Sequence, residues 1–414
     1  MLQFESGTGL SASLFGGMGV PAEQVLFFDI ETTGLSASGS YVYLIVAAFL
    51  SGGTVFLHQW FMDDVAQEKE LIRTFLEFAD RYRLLVHYNG TAFDLPFLQK
   101  KCQRHCLPDI LSGKQSLDIY KKLMPCKPLL GLKDMKQKSL EQKMGLFRDD
   151  PFSGGDLIPV YTEFIGRYRY EQLTGKNTRP SDENRIDFHN TGLKSMPESP
   201  AKALLSVLLL HNREDLTGLL TIAELLELPR VMDGSFSVSF PADKTADACD
   251  TLTFHLLPQS KAFCRIFSAF FQESFCKPVS VIPDGCTAAP LVTLSCTPKA
   301  LILECPVMSG TLRYFFEDYR SYYYLPVEDC AMHKSVAEFV DKNYRQKATR
   351  DNCYQKKTGR FLFQPQECFT PFFKNSHKDS CSCFEYTDAI FTDPAGLKKW
   401  LAAVLTWLLT PTKS

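Results

Sequence analysis

The first half of the chain alternates between compact apolar runs and polar turns, a pattern that predicts an α/β domain. Apolar runs bounded by turn residues predict buried β-strands at about 25–30, 41–50, 54–61, 84–88 and 116–118. Apolar positions at helical spacing predict helices at about 66–82 and 94–105. Gly52 and Gly53 predict a tight turn between the second and third strands. This order of elements predicts a mixed sheet flanked by helices.

The later apolar pattern divides the chain further. Apolar spacing across 203–228 predicts one long amphipathic helix, and the polar, Gly- and Pro-punctuated residues 174–200 predict a surface insertion before it. Beyond Pro229 the texture changes to short β-like runs, so residues 230–414 are predicted to form a second, α+β domain. Residues 1–20 are rich in Gly and Ser and are predicted to be a flexible N-terminal arm. The first globular domain is therefore expected over 21–229.

Composition narrows the class of protein. The chain has 414 residues, 45% of them hydrophobic, which is enough for two ordinary cores, and a net charge of −2, which implies no global basic field. The N-terminus has no basic signal-peptide region, and the apolar run 400–409 is too short to span a bilayer. Fourteen cysteines without a C-x-x-C motif are expected to be reduced. These features predict a soluble, cytoplasmic protein without a membrane partner.

Two carboxylates close the first predicted strand. Asp29 and Glu31 lie two residues apart, so they are expected on the same face of the strand. Adjacent carboxylates repel each other unless a cation lies between them, and hard divalent cations prefer oxygen ligands. The pair therefore predicts a metal site; the alternative is two solvated acids before the turn at Gly34.

Further acids follow at two other positions. Asp94 opens a predicted helix after the turn at Asn89, where it is expected to approach Asp29 and Glu31; the alternative is an acid favoured by the helix dipole. His211 and Asp215 are four residues apart on the long helix and therefore share one face; the alternative is a solvated surface pair.

These segments together resemble the DEDD exonucleases, a branch of the RNase H-like superfamily that includes proofreading 3′–5′ exonucleases. Residues 28–35 resemble its first motif, 84–98 its second and 208–216 its third, in the family's order. The family's last motif has either a His with four residues before the Asp or a Tyr with three. Here His211 occupies the Tyr position, so it is expected either to act as the general base or to orient the attacking water. Further segments within 129–164 resemble the predicted bacterial exonucleases typified by YprB.

The resemblance implies an RNase H-like fold and a two-metal 3′–5′ exonuclease acting on DNA or RNA, with a single-stranded 3′ end as partner. It implies that two Mg²⁺ or Mn²⁺ ions are held by Asp29, Glu31, Asp94 and Asp215, with His211 beside them. It also implies substrate contacts from Thr32, Thr33, Leu35, Asn89 and Phe93.

Two stretches have an uncertain bearing on nucleic acid. Residues 100–148 carry twelve Lys or Arg against four acids, which predicts either a phosphate-neutralising surface or an ordinary solvated helical face. Residues 311–324 interleave Arg with aromatic residues, which predicts either a base-stacking surface or the rim of a core. The domain over 230–414 is therefore a candidate substrate-holding domain of unknown role.

Two alternative functions remain open. The chain is either a catalytically weak nucleic-acid-binding protein that uses its acids for metal-assisted docking, or the nuclease subunit of a larger repair or decay assembly. Protein partners are not predicted by any motif.

Overall fold

The computed structural model describes residues 1–174, 199–239, 251–258, 267, 274–286, 290–297 and 299–410. They form two compact units, one of residues 1–127 and 132–226 and the other of residues 128–131 and 227–414. The insertion predicted at about 174–200 lies, apart from its ends, outside the described residues.

The strands and helices are numbered here in chain order. The strands are β1 Leu2–Gly7, β2 Val25–Thr32, β3 Val42–Ser51, β4 Thr54–Phe61, β5 Leu84–His87, β6 Gln115–Asp118, β7 Phe236–Ser239, β8 Thr251–Pro258, β9 Phe275–Pro278, β10 Leu291–Cys296, β11 Leu301–Phe315, β12 Tyr322–Leu325, β13 Cys330–His333, β14 Gln346–Lys347, β15 Tyr354–Gln364, β16 Phe372–Phe373 and β17 Ser382–Glu385. The helices are α1 Glu68–Ala79, α2 Asp94–His105, α3 Ile119–Leu123, α4 Lys127–Leu130, α5 Gln137–Lys143, α6 Gly154–Thr174, α7 Pro200–Ile222, α8 Glu227–Met232, α9 Lys334–Ala337 and α10 Pro394–Leu409.

The first unit is built on a mixed six-stranded sheet in the order β1-β4-β3-β2-β5-β6. The pairs from β1 to β2 are antiparallel, whereas β5 and β6 run parallel to β2. Strand β2 lies inside the sheet, where Phe28 and Ile30 are buried in the core that α1 and α2 also line. The predicted α/β class, a mixed sheet flanked by helices, is confirmed.

The N-terminus differs from the prediction of a flexible arm over residues 1–20. Residues 2–7 form strand β1, which pairs with β4 from Leu2 opposite Phe61 to Gly7 opposite Phe56. Phe4 is buried in the core, and the amino group of Met1 lies 2.5 Å from Asp63. The Gly- and Ser-rich composition hid this strand, because its signal is the short alternation of Leu2 and Phe4.

The long helix predicted over 203–228 is shorter and is followed by a turn. Helix α7 begins at Pro200, capped by the Ser199 hydroxyl, which accepts from the Lys202 amide at 3.2 Å. A 3₁₀ turn over Ala223–Leu226 then separates it from α8. The Gln59 amide of β4 donates at 3.0 Å both to the carbonyl of Leu209 and to the Asn212 side chain. These buried bonds fix the rotation of α7 on the sheet, and so the direction in which its polar face points.

The second unit is rich in sheet. Eight strands form an antiparallel sheet with β11 at its centre, paired with β15, β10 and β8, and β12 joins β13 and β14 in a separate three-stranded sheet. Helix α10 buries Trp400, whose indole N–H donates to the carbonyl of Phe363 at 2.9 Å. Within the described ranges, neither unit has a helix of the length and apolarity needed to cross a membrane.

Candidate functional site

One cleft of the first unit, of about 380 Å³, gathers residues from segments far apart in the chain. All five predicted catalytic residues line it: Asp29, Glu31, Asp94, His211 and Asp215. Asn89 and Phe93, two of the predicted substrate contacts, line it as well.

Asp29 and Glu31 share one face of β2 because the strand alternates, while Phe28 and Ile30 lie on the other. Their neighbours Phe28 and Ile30 are buried in the core cluster. The register with β3 breaks between Glu31 and Thr32, at a β-bulge. Such irregularities re-aim side chains at a strand end, which here places Glu31 beside the polar face of α7.

Asp94 is positioned by the loop that follows β5. The Asp118 carboxylate at the end of β6 accepts the backbone N–H groups of Asn89 at 2.9 Å and Thr91 at 3.2 Å. Asn89 takes a left-handed conformation with φ of 57°. A Cβ at Gly90 would lie 2.6 Å from the His87 ring and 3.0 Å from Asp94 Oδ2, so only glycine fits there. Asp94 then begins α2 with its carboxylate turned into the cleft.

His211 is held by carboxylates at both ring nitrogens. Its Nε2 lies 2.9 Å from Asp215 Oδ2 and 3.4 Å from Glu31 Oε1, and its Nδ1 lies 2.5 Å from Asp150 Oδ2. Burial works to lower the pKa of His211, but the hydrogen bonds to Asp215 and Glu31 outweigh it and raise that pKa to about 11. The ring is therefore an imidazolium when these three carboxylates are its partners.

The acids of the cleft lie in an environment that disfavours their charge. Burial raises the pKa of Asp29 well above its usual range, and the neighbouring carboxylates of Asp94, Asp215 and Glu31 raise it further. Burial also raises the pKa of Glu31, and raises that of Asp94 to about 7. Burial works to raise the pKa of Asp215 as well, but its hydrogen bond with His211 and the charges of His211 and Arg148 lower it. The cleft thus concentrates negative charge that its own cations only partly compensate.

This donor set fits divalent cations. The ligand atoms of Glu31, His211 and Asp215 lie within 4.8 Å of one another. Carboxylate oxygens are the ligands that Mg²⁺ and Mn²⁺ prefer, and a bound cation would remove the repulsion among the buried acids.

Sequence reasoning assigned no role to a second layer around Asp215. The Arg148 guanidinium donates to Glu141 through Nε at 2.5 Å and Nη2 at 2.6 Å. Its Nη1 donates to Asp215 Oδ1. Gln137 donates to the carbonyl of Asp215 at 2.6 Å. A Cβ at Gly218 would lie 1.8 Å from Glu141 Oε1, so Glu141 rests directly on the α7 backbone. In the sequence, Arg148 and Glu141 stood out only as members of the basic stretch over 100–148 and of the segments that resemble YprB.

Asp150 is the other participant that sequence reasoning missed. The Glu214 carboxylate of α7 accepts the backbone N–H groups of Asp149 at 3.1 Å and Asp150 at 2.9 Å. Asp150 is buried and faces His211, 61 positions further along the chain. No spacing rule connects residues so far apart, and the only available signal was the acidic pair after Arg148.

The remaining predicted substrate contacts lie in the turn after β2. The Thr32 hydroxyl donates to the carbonyl of Gly34 at 2.9 Å, and the Thr33 hydroxyl accepts the N–H of Tyr41 at 2.8 Å. Leu35 is 89% exposed at the tip of this turn. The two threonines therefore shape the turn that presents Leu35 to solvent.

Part of the basic stretch over 100–148 is used within the protein. Lys101 is fully buried and lies 2.7 Å from Glu68, Lys114 lies 3.1 Å from Asp80, and Lys138 lies 3.5 Å from Asp150. With Arg148 also paired, these cations have partners within the protein, and Lys138 lines the cleft as well. The phosphate-neutralising interpretation of the stretch is left with its exposed members, such as Lys100.

Comparisons with known proteins agree with this fold. Residues 26–175 match the family described as RNase_H superfamily. With the mixed sheet and its flanking helices, the first unit is therefore an RNase H-like domain, accompanied by a sheet-rich second domain. No curated protein matches the chain.

Several solved structures are similar to the chain. A zinc-bound complex of E. coli exonuclease I with single-stranded DNA is 11% identical over 38% of this chain and 46% of that chain, with a TM-score of 0.26. Exonuclease I from Methylocaldum szegediense is 13% identical over 67% of this chain and 64% of that one, with a TM-score of 0.26. A family B DNA polymerase from Pyrobaculum calidifontis is 15% identical over 73% of this chain and 36% of that chain, with a TM-score of 0.34. The match thus spans under half of the E. coli enzyme, and values this low do not establish a shared activity.

Proposed function

We propose that this protein is a divalent-metal-dependent nuclease that hydrolyses phosphodiester bonds of DNA or RNA from the 3′ end. The convergence of Asp29, Glu31, Asp94 and Asp215 with His211 in one cleft carries the proposal. These residues come from three separate segments, and their order along the chain resembles that of the DEDD exonucleases. The finer assignment to the YprB-like exonucleases, and action in the cytoplasm, belong to the same proposal.

The four carboxylates would hold two Mg²⁺ or Mn²⁺ ions. The raised pKa values of Asp29, Glu31 and Asp94, and the mutual repulsion of these acids, are what a site built for cations shows without them. When bound, such ions activate a water molecule and stabilise the departing 3′ oxygen of an in-line displacement.

His211 handles the proton of the attacking water in this proposal. Its Nδ1–H donates to Asp150, which directs Nε2 toward Glu31 and Asp215 in the cleft. Those two carboxylates hold a proton on Nε2, so His211 accepts a proton only when they take other partners. Arg148 donates to Oδ1 of Asp215, the carboxylate oxygen that His211 does not contact, and Gln137 donates to the backbone carbonyl of Asp215.

The substrate end would be received by Asn89 and Phe93 at the cleft. The Phe93 ring is half-buried against Phe97, with centroids 5.5 Å apart, which makes it a firm platform for a terminal base. The exposed Leu35 at the tip of the turn is the second apolar contact that we propose for the nucleic-acid substrate.

Cleavage of labelled oligonucleotides tests this proposal. Single-stranded DNA and RNA carrying a 3′ or a 5′ label are incubated with Mg²⁺, Mn²⁺ or EDTA and resolved by length. We expect metal-dependent trimming from the 3′ end, abolished by Asp29→Asn and unaffected by Asp80→Asn, a surface acid paired with Lys114.

Three other outcomes separate the alternatives. Metal-dependent binding without cleavage would contradict the nuclease proposal and support the docking alternative. Trimming from the 5′ end would contradict the proposed direction. Activity that appears only in a complex with other proteins would support the assembly alternative.

A further inference from the structure

The three-stranded sheet of the second unit sorts the aromatic residues of 311–324 into two groups. Phe316, Tyr319, Tyr322 and Tyr324 pack against a small core of Ala331, Ala348 and Cys353. These four rings therefore form the rim of a small core, which was one of the two predictions for this stretch. Tyr323 points to the opposite face of β12, where its neighbours across the sheet are Met332 on β13 and Lys347 on β14.

Cations surround the rings at the edge of this sheet. The Arg345 guanidinium lies 4.9 Å and the Lys334 ammonium 5.7 Å from the centre of the Tyr323 ring. Arg350 and Arg320 lie 5.8 and 5.9 Å from the Tyr319 ring. We call the set around Tyr323 the Tyr323 surface, comprising Tyr323, Lys334, Arg345 and Lys347.

The cations of the Tyr323 surface differ from those of the large sheet in what they face. On and beside the large sheet, Lys357 lies 3.1 Å from Glu385, Arg313 3.0 Å from Asp284 and Lys374 3.6 Å from Glu367. Across the described parts of the chain, no cation of the Tyr323 surface has a carboxylate within 4 Å. Three positive charges beside one ring, without carboxylate partners, favour an anionic ligand from outside.

Nearby acids do not neutralise this surface. Asp329 accepts from Tyr324 at 2.6 Å and pairs with Lys356, and Asp341 caps the 3₁₀ turn over Lys342–Tyr344. Glu338 and Asp341, both exposed, leave two negative charges between Lys334 and Arg345 in sequence. The same stretch exposes further aromatic area, since Phe339 is 90% and Tyr344 58% accessible.

We propose that the Tyr323 surface binds single-stranded nucleic acid. Its cations contact backbone phosphates, and the ring face of Tyr323, with those of Phe339 and Tyr344, stacks unpaired bases. A duplex fits this chemistry less well because its base faces are already stacked. The proposal rests on the proposed function in one respect, namely that the strand held here is the substrate of the cleft.

A matched pair of lysine variants tests the electrostatic part. The full-length protein is titrated into a labelled 20-nucleotide single strand, as DNA and as RNA, in EDTA and at several salt concentrations. We expect Lys334→Ala/Lys347→Ala to weaken binding and to reduce the slope of log affinity against log salt by about 1.4, since each of two lost phosphate contacts on a single strand contributes about 0.7. The control Lys357→Ala/Lys374→Ala removes two lysines that already have carboxylate partners, and we expect it to leave the slope unchanged.

A second pair of variants tests base stacking. Tyr323→Leu removes the ring and is expected to weaken binding about tenfold, the size of one stacking contact. Tyr323→Phe keeps the ring and is expected to bind like the parent protein. Since both variants remove the hydroxyl, any difference between them reports the ring.

The outcomes distinguish this proposal from the nuclease proposal. Unchanged affinity and salt slope in Lys334→Ala/Lys347→Ala would contradict the proposal that the Tyr323 surface binds nucleic acid, whether or not the protein is a nuclease. Tighter binding of a duplex than of the single strand would overturn the choice of ligand. If the protein binds single strands through these lysines but cleaves nothing, the binding proposal is supported and the nuclease proposal is contradicted.

Discussion

The cleft of the first unit and the Tyr323 surface of the second use charge in opposite ways. In the cleft, Asp150, Glu31 and Asp215 all face His211, and the groups are buried or half-buried. On the Tyr323 surface, Lys334 and Lys347 are exposed and have no carboxylate partner among the described residues. Charges in a low-dielectric interior must be compensated locally, whereas exposed charges lose little by remaining unpaired.

This difference separates the residues proposed for catalysis from the residues proposed for binding the substrate. A buried network fixes each group in one orientation before a ligand arrives, as the bonds from Glu214 to the backbone of Asp149 and Asp150 do for the partner of His211. An open patch of cations and rings adapts to many sequences and releases them readily. The comparison predicts that changes in the cleft alter the rate of cleavage and protein stability, and that changes on the Tyr323 surface alter affinity.

The largest effect is expected from His211→Gln. The glutamine retains hydrogen bonding but cannot take up a proton, so the rate of cleavage should fall about a thousandfold while the affinity for a 20-nucleotide strand stays the same. Asp150→Asn should slow cleavage less, by about tenfold, because it disturbs the orientation of His211 without removing it. Single-turnover kinetics beside a binding titration measure both. Equal losses of rate and affinity in His211→Gln would contradict the idea that the cleft sets the rate of cleavage and the Tyr323 surface sets the affinity.

A stability effect of the next size is expected from Asp94→Asn in EDTA. The pKa of Asp94 is raised to about 7, above its unfolded value, so the native state binds the extra proton and becomes less stable as pH rises from about 4 to 7. His211 acts in the same direction at higher pH, because its raised pKa means that stability is lost as pH rises toward 11.

The variant lacks the Asp94 contribution. Its free energy of unfolding should exceed that of the parent by up to about 4 kcal/mol above pH 7 and by little at pH 4. Denaturant unfolding across this range measures the difference, and Asp80→Asn, at an exposed acid, should show none. Added Mg²⁺ should reverse the order, because only the parent retains all four carboxylates. A variant that is less stable than the parent at every pH would contradict the raised pKa of Asp94.

A smaller effect is expected from Gly218→Ala. The new Cβ would lie 1.8 Å from Glu141 Oε1, so Glu141 and with it Arg148 must shift away from Asp215. We expect a loss of about 1–3 kcal/mol in the free energy of unfolding and slower cleavage. Gly166→Ala in α6 is the matched control, since nothing lies within 4 Å of its Cβ, and it should stabilise the protein by up to about 1 kcal/mol. Thermal unfolding of both variants tests the close approach directly, and a neutral Gly218→Ala would contradict it.

The smallest effect on stability is expected from Lys334→Ala/Lys347→Ala. Both side chains are exposed and lack carboxylate partners in the described chain, so the free energy of unfolding should change by less than about 0.5 kcal/mol. The same variant is the one expected to weaken nucleic-acid binding. A marked loss of stability would instead indicate that these lysines support the small sheet.

Much of the first unit could be predicted from local patterns. The runs that predicted strands at about 25–30, 54–61 and 84–88 correspond to β2, β4 and β5, and the helix predicted at 94–105 has those bounds as α2. The clustering of Asp29, Glu31, Asp94, His211 and Asp215 agrees with the expectation drawn from spacing and resemblance. Strand β1 was missed, because an edge strand gains its stability from pairing with β4 rather than from its own composition.

The sequence by itself determined the α/β alternation of the first unit and the face on which each acid of β2 and α7 points. Those properties follow from periods of two and 3.6 residues, which are local. Only the tertiary structure decided that Asp150 faces His211, that Arg148 joins Glu141 to Asp215, and that Tyr323, unlike Tyr322 and Tyr324, meets cations outside the core. These contacts join residues far apart in the chain or choose between two faces of one strand, and packing makes that choice because each face has a different neighbour to bury against.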